Sequence, residues 1–484
     1  MKKMNLLVMS LVSAAALSFS SCSSNDDLTS GGGSNQSKVE SFYMTFAVQT
    51  PTSNGTRTQQ PTDANFKVNG STEETKITSG TFYLVNKKTK EIVFTKHITA
   101  SELNNATPES PATGTTKSKI EVPVQDVDEN VDYIVYFLAN TTDAKPWENT
   151  YTAQTGFTGA YATDNNFVMF NQNDKNSQAD KYIVKFEAAN KEISNPAKVN
   201  GTIMLDRVTA RIDKPETEAT SITAKYPEGA TTEKKAAIDA EIAKVKTVTQ
   251  SNYAITNLSN MTNIMQKWDA TWTALQLPEG NTHMQKSGDL GDQWTLNNYG
   301  WFANAAKNYV FENAKETPTT MYFEYKLDLD ETKFTDTPDF TDGTFYRYNG
   351  VIYRSIKAIY DAYADQPILF GGKTADALKG ELKITADGKI GASDTELAKF
   401  RKDNVIEVFV AGKTYYSQVI TDKWLGTNTI QRNTVYKLNV KNIYNLGADV
   451  PNGKPDENKP MYYLDVEVSV NPWVLSTQDV NLGE

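Results

Sequence analysis

Cysteine and histidine are nearly absent from this chain of 484 residues, which contains one cysteine and two histidines. A single cysteine excludes an intramolecular disulfide bond. His97 and His283 lie in distant segments, so spacing supports neither a conventional zinc site nor a histidine-assisted nucleophile. The sequence also lacks a P-loop and a G-x-G-x-x-G motif. We therefore expect no catalytic residues, no bound metal, no cofactor and no enzyme activity.

The chain also has no excess of positive charge and no long apolar run. The chain has 49 basic and 59 acidic residues, a net charge of -10 and a pI near 5.1, which argues against a nucleic-acid partner because such binding needs Lys and Arg. The longest apolar run, Leu6–Phe19, is shorter than the roughly 20 residues that span a bilayer. A hydrophobic content of 39% is typical of soluble globular chains, and the length predicts two or three domains.

The N-terminal residues have the pattern of a secretory signal peptide. Lys2 and Lys3 precede the apolar run, and Ser20, Ser21 and Cys22 follow it, as in cleavable export signals. Cys22 occupies the position of the lipidated residue in bacterial lipoprotein precursors. We predict a signal peptide over residues 1–21 and lipidation at Cys22. An unmodified cysteine in an ordinary signal peptide is the alternative, since Phe19 replaces the usual leucine.

The residues after Cys22 predict a tether and then a first strand. Asp26 and Asp27 resemble surface-export signals of Bacteroidetes lipoproteins, and a stretch rich in Gly and Ser extends from Leu28 to Lys38, typical of flexible linkers. Val39–Thr50 then alternates with period 2, which predicts a strand with one buried face. The predicted inward residues are Phe42, Met44, Phe46 and Val48.

Short strand candidates separated by polar turns continue along the chain. This pattern favours antiparallel β-sandwiches over alternating strand–helix units. Before a polar joint at Asn190–Asn200 the candidates are Thr81–Val85, Glu91–Thr95, Lys119–Val124, Tyr133–Leu138, Phe167–Phe170 and Tyr182–Glu187. After the joint they are Thr202–Ile212, Thr320–Leu327, Val351–Tyr353, Val405–Val410 and Val435–Val440.

Two helices are predicted in the second half. Ala236–Val245 consists of good helix formers and places Ile238 and Ile242 at helical spacing. Met261–Leu275 places two methionines and two tryptophans on one stripe, which predicts an amphipathic helix.

Three groups of residues suggest binding or catalysis, but each has a plainer interpretation. The tryptophans at positions 268, 272, 294 and 301 could stack on sugars, yet large aromatic residues usually fill cores. Asp126, Asp128 and Asn130 resemble a calcium loop, but Val131 stands where the EF-hand requires glycine. Asp328 and Asp330 could be glycosidase carboxylates, although a strand edge explains their alternation. None of the three specifies a function.

Arg57 is the only arginine among the first 206 residues. It lies in the polar, turn-rich stretch Pro51–Pro61, directly after the first strand, and such loops are preferred sites of proteolysis. Cleavage between Arg57 and Thr58 by a trypsin-like protease would remove the first strand together with the lipid anchor. An ordinary surface arginine is the alternative.

The C-terminal residues predict a strand followed by an apolar tail. Met461–Val470 alternates in hydrophobicity, and we expect Pro472 to interrupt its hydrogen-bond ladder. Beyond the proline, the segment Trp473–Leu482 is apolar and carries few charges. It has no necessary role in its own domain. Its apolar residues are Trp473, Val474, Leu475, Val480 and Leu482. One interpretation of this tail is a final strand of its own domain.

Five short motifs occur in order along the chain. They are R-V-x-A-R within Leu205–Arg211, Y-V-x-E-N at Tyr309–Asn313, G-K-x-Y-Y at Gly412–Tyr416, R-N-x-x-Y within Gln431–Tyr436 and W-V-L-x-x-Q within Asn471–Gln478. Together with the cysteine, the first strand and the loop arginine, they resemble the fimbrillins, the type V major fimbrial subunits of Bacteroidetes such as Porphyromonas and Bacteroides, which are made as lipoprotein precursors.

The resemblance implies an all-β chain with two antiparallel, transthyretin-like β-sandwich domains and a small helical insert in the second. The expected divisions are a signal peptide (1–21), a propeptide with the tether and removable strand (22–57), an N-terminal domain (58–198) and a C-terminal domain with the donor tail (199–484).

The resemblance also implies how the subunit assembles and with which partners. Trp473–Leu482 would be a donor strand, whose residues Trp473, Val474, Leu475, Val480 and Leu482 fill the groove vacated by Val39–Thr50 in a neighbouring subunit. An Arg-specific protease would release the lipidated precursor from the outer membrane into an extracellular fimbrium, where copies of the chain join anchor and tip pilins in adhesion and biofilm formation. The alternatives are a tip or accessory adhesin, a surface glycan-binding lipoprotein and a secreted hydrolase.

Overall fold

Strands make up most of the fold, as the sequence predicts. The computed structural model describes residues 41–49, 68–104, 108–110, 115–123, 126–152, 161–175, 177–284, 305–366, 368–422, 425–451 and 463–475. The longest helices described have 11 residues, and none of the described helices is long and apolar enough to cross a membrane. The division into two domains stays a prediction.

The described residues of the first half contain fourteen strands and two short α-helices. The strands are β1 Ser41–Gln49, β2 Val68–Gly70, β3 Gly80–Asn86, β4 Ile92–Ile98, β5 Pro108–Ser110, β6 Thr115–Pro123, β7 Asp132–Ala139, β8 Thr150–Thr152, β9 Ala162–Thr163, β10 Asn166–Phe167, β11 Met169–Asn171, β12 Ile183–Lys185, β13 Ala197–Lys198 and β14 Ile203–Arg207. The helices are α1 Thr72–Thr75 and α2 Ala100–Asn104.

Ten of these strands form one mixed sheet. Its order is β4-β3-β7-β11-β14-β1-β6-β5, with β12 beside β7 and β13 beside β1. The central strand β7 is almost continuously apolar because both of its faces are covered. Val135 and Phe137 point into one cluster with the side chains of β1, whereas Ile134 and Leu138 join a second cluster on the opposite face.

The second half contains the remaining strands and helices. The strands are β15 Ala210–Asp213, β16 Glu216–Thr217, β17 Ile222–Thr223, β18 Val245–Thr256, β19 Leu258–Ser259, β20 Met261–Asn263, β21 His283–Met284, β22 Lys307–Val310, β23 Thr320–Leu329, β24 Phe345–Tyr348, β25 Val351–Tyr353, β26 Glu407–Phe409, β27 Lys413–Val419, β28 Thr434–Tyr444 and β29 Tyr463–Leu475. The helices are α3 Thr232–Ile242, α4 Ile356–Ala362, α5 Ala375–Gly380 and α6 Asp394–Asn404.

Two sheets of the second half enclose an apolar core. One has the order β2-β29-β28-β15-β22, with β16 and β17 also beside β28, and the other has the order β18-β23-β27. Ile212 and Leu438 from the first sheet meet Tyr253 and Phe323 from the second. A smaller sheet, β25-β24-β26, packs with α4, α5 and α6 around a separate cluster that includes Leu378 and Phe400.

The structure corrects several expectations. The two largest sheets are mixed and not purely antiparallel, since β1 runs parallel to β13 and β14, and β15, β16 and β17 run parallel to β28. The predicted helix Ala236–Val245 corresponds to α3, but the prediction of a helix over Met261–Leu275 is wrong. That segment begins with β20 and continues as a loop closed by the Asp269 carboxylate, which accepts from the backbone N–H groups of Thr273 and Ala274. Asp competes with helical hydrogen bonds in this way.

Candidate functional site: the first strand and its groove

The first strand, β1, lies inside the ten-stranded sheet and not at its edge. All nine of its residues pair antiparallel with β6, from Ser41 opposite Pro123 to Gln49 opposite Thr115. On the other side β1 runs parallel to β13 and then to β14, where Val48 lies opposite Ile203. Loss of β1 would therefore expose unpaired backbone groups on both sides of the gap, on β6 and on β13 and β14.

The even-numbered side chains of β1 are buried, which confirms the predicted inward face. Phe42, Met44, Phe46 and Val48 are each at most 2% exposed. The centre of the Phe42 ring lies 5.3 Å from that of Phe186, and the centre of the Phe46 ring lies 4.9 Å from that of Phe82. These rings would form the floor of the groove that β1 leaves behind.

The groove would be apolar along its whole length. Burial of a side chain such as valine or phenylalanine stabilises a fold by about 1.5–3 kcal/mol, and four such side chains occupy this groove. A second extended segment with apolar residues on one face could restore the backbone pairing and part of the buried surface.

Replacement of Phe46 tests how strongly β1 holds the precursor together. We expect Phe46→Ala to lower the free energy of unfolding by about 3–5 kcal/mol, because the Phe46 ring contacts both Phe82 and Phe137. Denaturant unfolding of the uncleaved precursor measures the change. Thr45→Ala is the matched control, since Thr45 is partly exposed on the opposite face. Equal losses in the two variants would contradict the assignment of faces.

Three of the five motifs meet in one buried polar cluster, which we call the motif junction: Glu74, Arg207, Arg211, Tyr309 and Asn433. Arg207 Nε donates to the backbone carbonyl of Glu74 at 2.8 Å, and its Nη1 donates to Asn433 Oδ1 at 2.8 Å. Arg211 Nη1 lies 3.1 Å from both carboxylate oxygens of Glu74, and Tyr309 Oη donates to Glu74 Oε1 at 2.7 Å. Sequence reasoning missed Glu74, although Ser71 and Glu74 form a capping box that marks the start of α1.

The Glu74 carboxylate is kept ionised by its neighbours. Burial by itself raises the pKa of Glu74, but the hydrogen bond from Lys307 and the charge of Arg211 outweigh burial and bring the pKa to about 2, from an ordinary value of 4.5. The side chain is almost fully buried. Ionised Glu74 therefore compensates the charge of Arg211 inside the fold.

Acid should remove the contribution of Glu74 to stability. A folded-state pKa below the unfolded value means that the contribution is complete above pH 4.5 and is lost as the pH falls toward about 2. We expect Glu74→Gln to cost about 3 kcal/mol at pH 7. The difference in unfolding free energy between wild type and variant should shrink between pH 4.5 and pH 2. A difference that does not change with pH would contradict this.

The C-terminal strand extends further than predicted. β29 pairs antiparallel with β28 from Tyr463 to Pro472, so the prediction that Pro472 interrupts the ladder is wrong. Proline lacks only the N–H group, and its fixed φ is compatible with extended backbone. Beyond Pro472 the strand continues, and Trp473–Leu475 pair parallel with Val68–Gly70 of β2.

The predicted site residues fall into two groups. The structure places the inward residues of β1 in the core and the backbone of Trp473, Val474 and Leu475 in the sheet of their own chain. The others lie outside the described residues, so lipidation, cleavage and strand donation stay predictions. They are Cys22, Arg57, Thr58, Val480 and Leu482.

The tryptophans and aspartates considered above as sugar-binding or catalytic residues make structural contacts where they are described. Trp268 is 9% exposed and donates its Nε1–H to the carbonyl of Asn173 at 2.9 Å; Trp294 and Trp301 lie outside the described residues. Asp328 accepts from Thr247 Oγ1 within the β18–β23 pair, and Asp330 caps a short 3-10 helix. Within the described ranges, no group of three or more His, Cys, Asp or Glu residues is arranged to hold a metal ion.

One residue of the motif junction, Asn433, lies in the region that a known family covers. Residues 407–479 match the family model of fimbrillin, major fimbrial subunit protein type IV, C-terminal. This match spans β26 to β29 and includes the last three of the five motifs. The resemblance to fimbrillins that the motifs predict is thereby confirmed.

Solved structures similar to this chain include proteins of Parabacteroides distasonis and Porphyromonas gingivalis. One is a Parabacteroides distasonis protein assigned to cell adhesion, with 14% identity, a TM-score of 0.44, and 90% of this chain and 99% of that chain covered. Another is a fimbrilin from Porphyromonas gingivalis, with 14% identity, a TM-score of 0.43 and coverage of 90% and 99%. The third is a tip fimbrial protein of Porphyromonas gingivalis with C-terminal truncation, with 12% identity, a TM-score of 0.33 and coverage of 90% and 100%. No curated protein matches the chain.

Proposed function

We propose that this chain, whose residues 407–479 match the C-terminal region of fimbrillin, is a structural subunit of a surface fimbria and not an enzyme. The observation that carries the proposal is the position of β1. This strand lies between two partner strands, fills the core with four apolar side chains, and is followed by the turn-rich stretch around Arg57. One proteolytic cut can therefore turn a completed sheet into an open groove.

Assembly then follows from the geometry of the groove. After cleavage between Arg57 and Thr58, β1 leaves, and the edges of β6 and β14 become available to a strand from the next subunit. Each subunit receives a strand at one end and donates one at the other, and such head-to-tail contacts build a filament when they do not close on themselves.

The donor is the segment from Trp473 to Leu482. Side chains of a strand alternate between faces, so Val474, Val480 and Leu482 share one face. Val474 and Val480 are six residues apart, the same separation as Phe42 and Val48 in β1. We propose that these two valines take the end positions of the groove.

Hydrophobic burial, and not charge, drives the exchange. The segment removed with residues 1–57 carries four positive side chains and three negative ones, so the net side-chain charge changes only from -10 to -11. They are Lys2, Lys3, Lys38 and Arg57, and Asp26, Asp27 and Glu40. Such a small change cannot control assembly, whereas the vacated groove exposes a large apolar surface.

The lipid at Cys22 keeps the precursor at the outer membrane until the cut. We expect fatty-acid labelling in cells to mark the wild-type precursor and to leave Cys22→Ser unlabelled. The matched control is Ser21→Ala, a neighbouring substitution that keeps the thiol. Label retained by Cys22→Ser would reject lipidation at this position.

The partners are further copies of the chain, with anchor and tip pilins at the filament ends, and the resulting fimbria supports adhesion and biofilm formation. The test is incubation of purified precursor with an Arg-specific protease, followed by electrophoresis without boiling. A ladder of polymers that appears only after cleavage supports a filament subunit. A cleaved protein that stays monomeric at high concentration contradicts it.

A further inference from the structure

A short segment after the cleavage site contacts the start of the donor. We call Val68–Thr75, which comprises β2 and α1, the latch segment. Its strand β2 pairs with β29, with Val68 opposite Trp473, Asn69 opposite Val474 and Gly70 opposite Leu475. These three partners are the first residues of the proposed donor. The donor backbone therefore has a partner in its own chain.

This pairing and donation to a neighbour exclude each other. In the part of the chain that is described, β2 is the one strand that pairs with β29 beyond Pro472. A strand that fills the groove of β1 needs backbone partners on both of its edges, as β1 has. Val474 cannot occupy a neighbour's groove while it remains paired opposite Asn69.

A strand as short as β2 needs an anchor to stay in place. Three residues form few backbone hydrogen bonds, and an isolated short pairing is marginal in water. The anchor is Glu74 in α1, whose carboxylate accepts from Lys307 Nζ at 2.8 Å in addition to Arg211 and Tyr309. Glu74 Oε2 also accepts from the backbone N–H of Ser71 at 2.8 Å, which fixes the link between α1 and β2.

Further hydrogen bonds fix the C-terminal end of the latch segment and the residues that follow it. The backbone N–H of Asn165 donates to the carbonyl of Glu73 at 2.8 Å. Asn140, at the end of β7, donates to the carbonyl of Lys76 and accepts from the backbone N–H of Thr78. The latch segment is thus held at its C-terminal end by Glu74 and Glu73 and by the bonds of the following residues to Asn140, with β2 extending along β29.

We propose that the latch segment is an autoinhibitory contact that keeps the start of the donor in its own subunit, with Glu74 as its anchor. The proposal rests on the proposed function, because it concerns the release of the same donor residues. Opening of β2 then precedes strand exchange, and the strength of the Glu74 contacts sets how fast a cleaved subunit joins a filament.

Hydrogen exchange on the uncleaved precursor tests the contact without any polymerisation. In Glu74→Gln, backbone amides within Trp473–Leu475 should exchange about tenfold faster than in wild type. The matched control is Glu73→Gln, which removes the neighbouring, exposed carboxylate of the same helix and should leave exchange unchanged. Equal exchange in wild type and Glu74→Gln would overturn the role of Glu74.

A second variant distinguishes local opening of β2 from a general loss of stability. Asn69→Pro removes one N–H group from β2 and leaves the contacts of Glu74 in place. It should also speed exchange at Trp473–Leu475 while the exchange of β7 amides stays as in wild type. Unchanged exchange at Trp473–Leu475 in Asn69→Pro would overturn the pairing itself.

Polymerisation after Arg-specific cleavage tests the inhibitory effect. Cleaved Glu74→Gln and Asn69→Pro should polymerise about tenfold faster than cleaved wild type, and Glu73→Gln at the wild-type rate. If wild type polymerises and both latch variants do so at the same rate or more slowly, the autoinhibitory role is wrong. If cleaved wild type never polymerises, the proposed function fails, whereas the exchange data still decide whether Glu74 holds the donor.

Discussion

Arg57→Ala is expected to abolish fimbriae and to leave an intact, lipid-anchored precursor on the cell. The uncut chain keeps β1 between β6 and β14, with four buried apolar side chains, so no groove is open to a neighbouring subunit. Spontaneous loss of β1 would cost about 1.5–3 kcal/mol for each of these side chains. Electron microscopy of cells and blotting of outer-membrane fractions measure the outcome.

Two controls separate cleavage from a general effect on the loop. Gln59→Ala changes the same turn-rich stretch without touching the arginine and should give normal fimbriae. Adding Gln60→Arg to Arg57→Ala restores an arginine three residues downstream and should rescue cleavage and assembly. Normal fimbriae from Arg57→Ala alone would show that β1 is not released by a cut at this arginine.

Local periodicity was sufficient to predict the strand at the centre of the site. The alternation of Phe42, Met44, Phe46 and Val48 fixes which face is buried, because a shift of one residue would turn all four side chains toward solvent. The position of β1 inside the sheet is not local information. Its partner β14 begins at Ile203, and no spacing rule connects residues so far apart.

The motif junction could not be predicted for the same reason. Glu74 bonds Arg211 and Tyr309 across 137 and 235 residues of sequence, and the only local signal is the Ser71–Glu74 capping box. The motifs identified Arg207, Arg211 and Tyr309 as members of a pattern but gave no reason for their presence. The structure supplies that reason, since these residues hold the segment between β2 and the first sheet.

The helices show where the spacing of large apolar side chains gives a wrong prediction. Met261–Leu275 has helical spacing of large side chains, yet Asp269 closes a loop with its own carboxylate. The helix α6 has an unpredicted but readable signal, a capping box in which Ser393 Oγ accepts from the backbone N–H of Glu396 and Glu396 accepts from Ser393. In these two segments, helix-capping residues therefore predict the helix better than the spacing of apolar residues does.

The structure also refines how the donor should be truncated. Trp473–Leu475 pair with β2 in the subunit itself, so truncation after Asn471 would disturb the latch segment as well as remove the donor. Truncation after Leu475 leaves that pairing intact. We expect the shorter chain to melt as the full precursor does, to be cut at Arg57 and to remain monomeric.

Val480→Asp is expected to stop polymerisation of an otherwise normal, cleaved subunit. If the donor enters the groove with Val474 and Val480 facing inward, a carboxylate at position 480 would be buried without a partner, which is strongly unfavourable. Asn481→Asp is the matched control, because it adds the same charge one residue away, on the opposite face of an extended strand. The cleaved control should polymerise at about the wild-type rate, whereas Val480→Asp should be slower by at least about tenfold.

The reverse order of the two variants would mean that the donor enters in the other register, with Trp473 and Leu475 inward. Equal polymerisation of both variants would mean that the strand filling the groove comes from elsewhere in the chain.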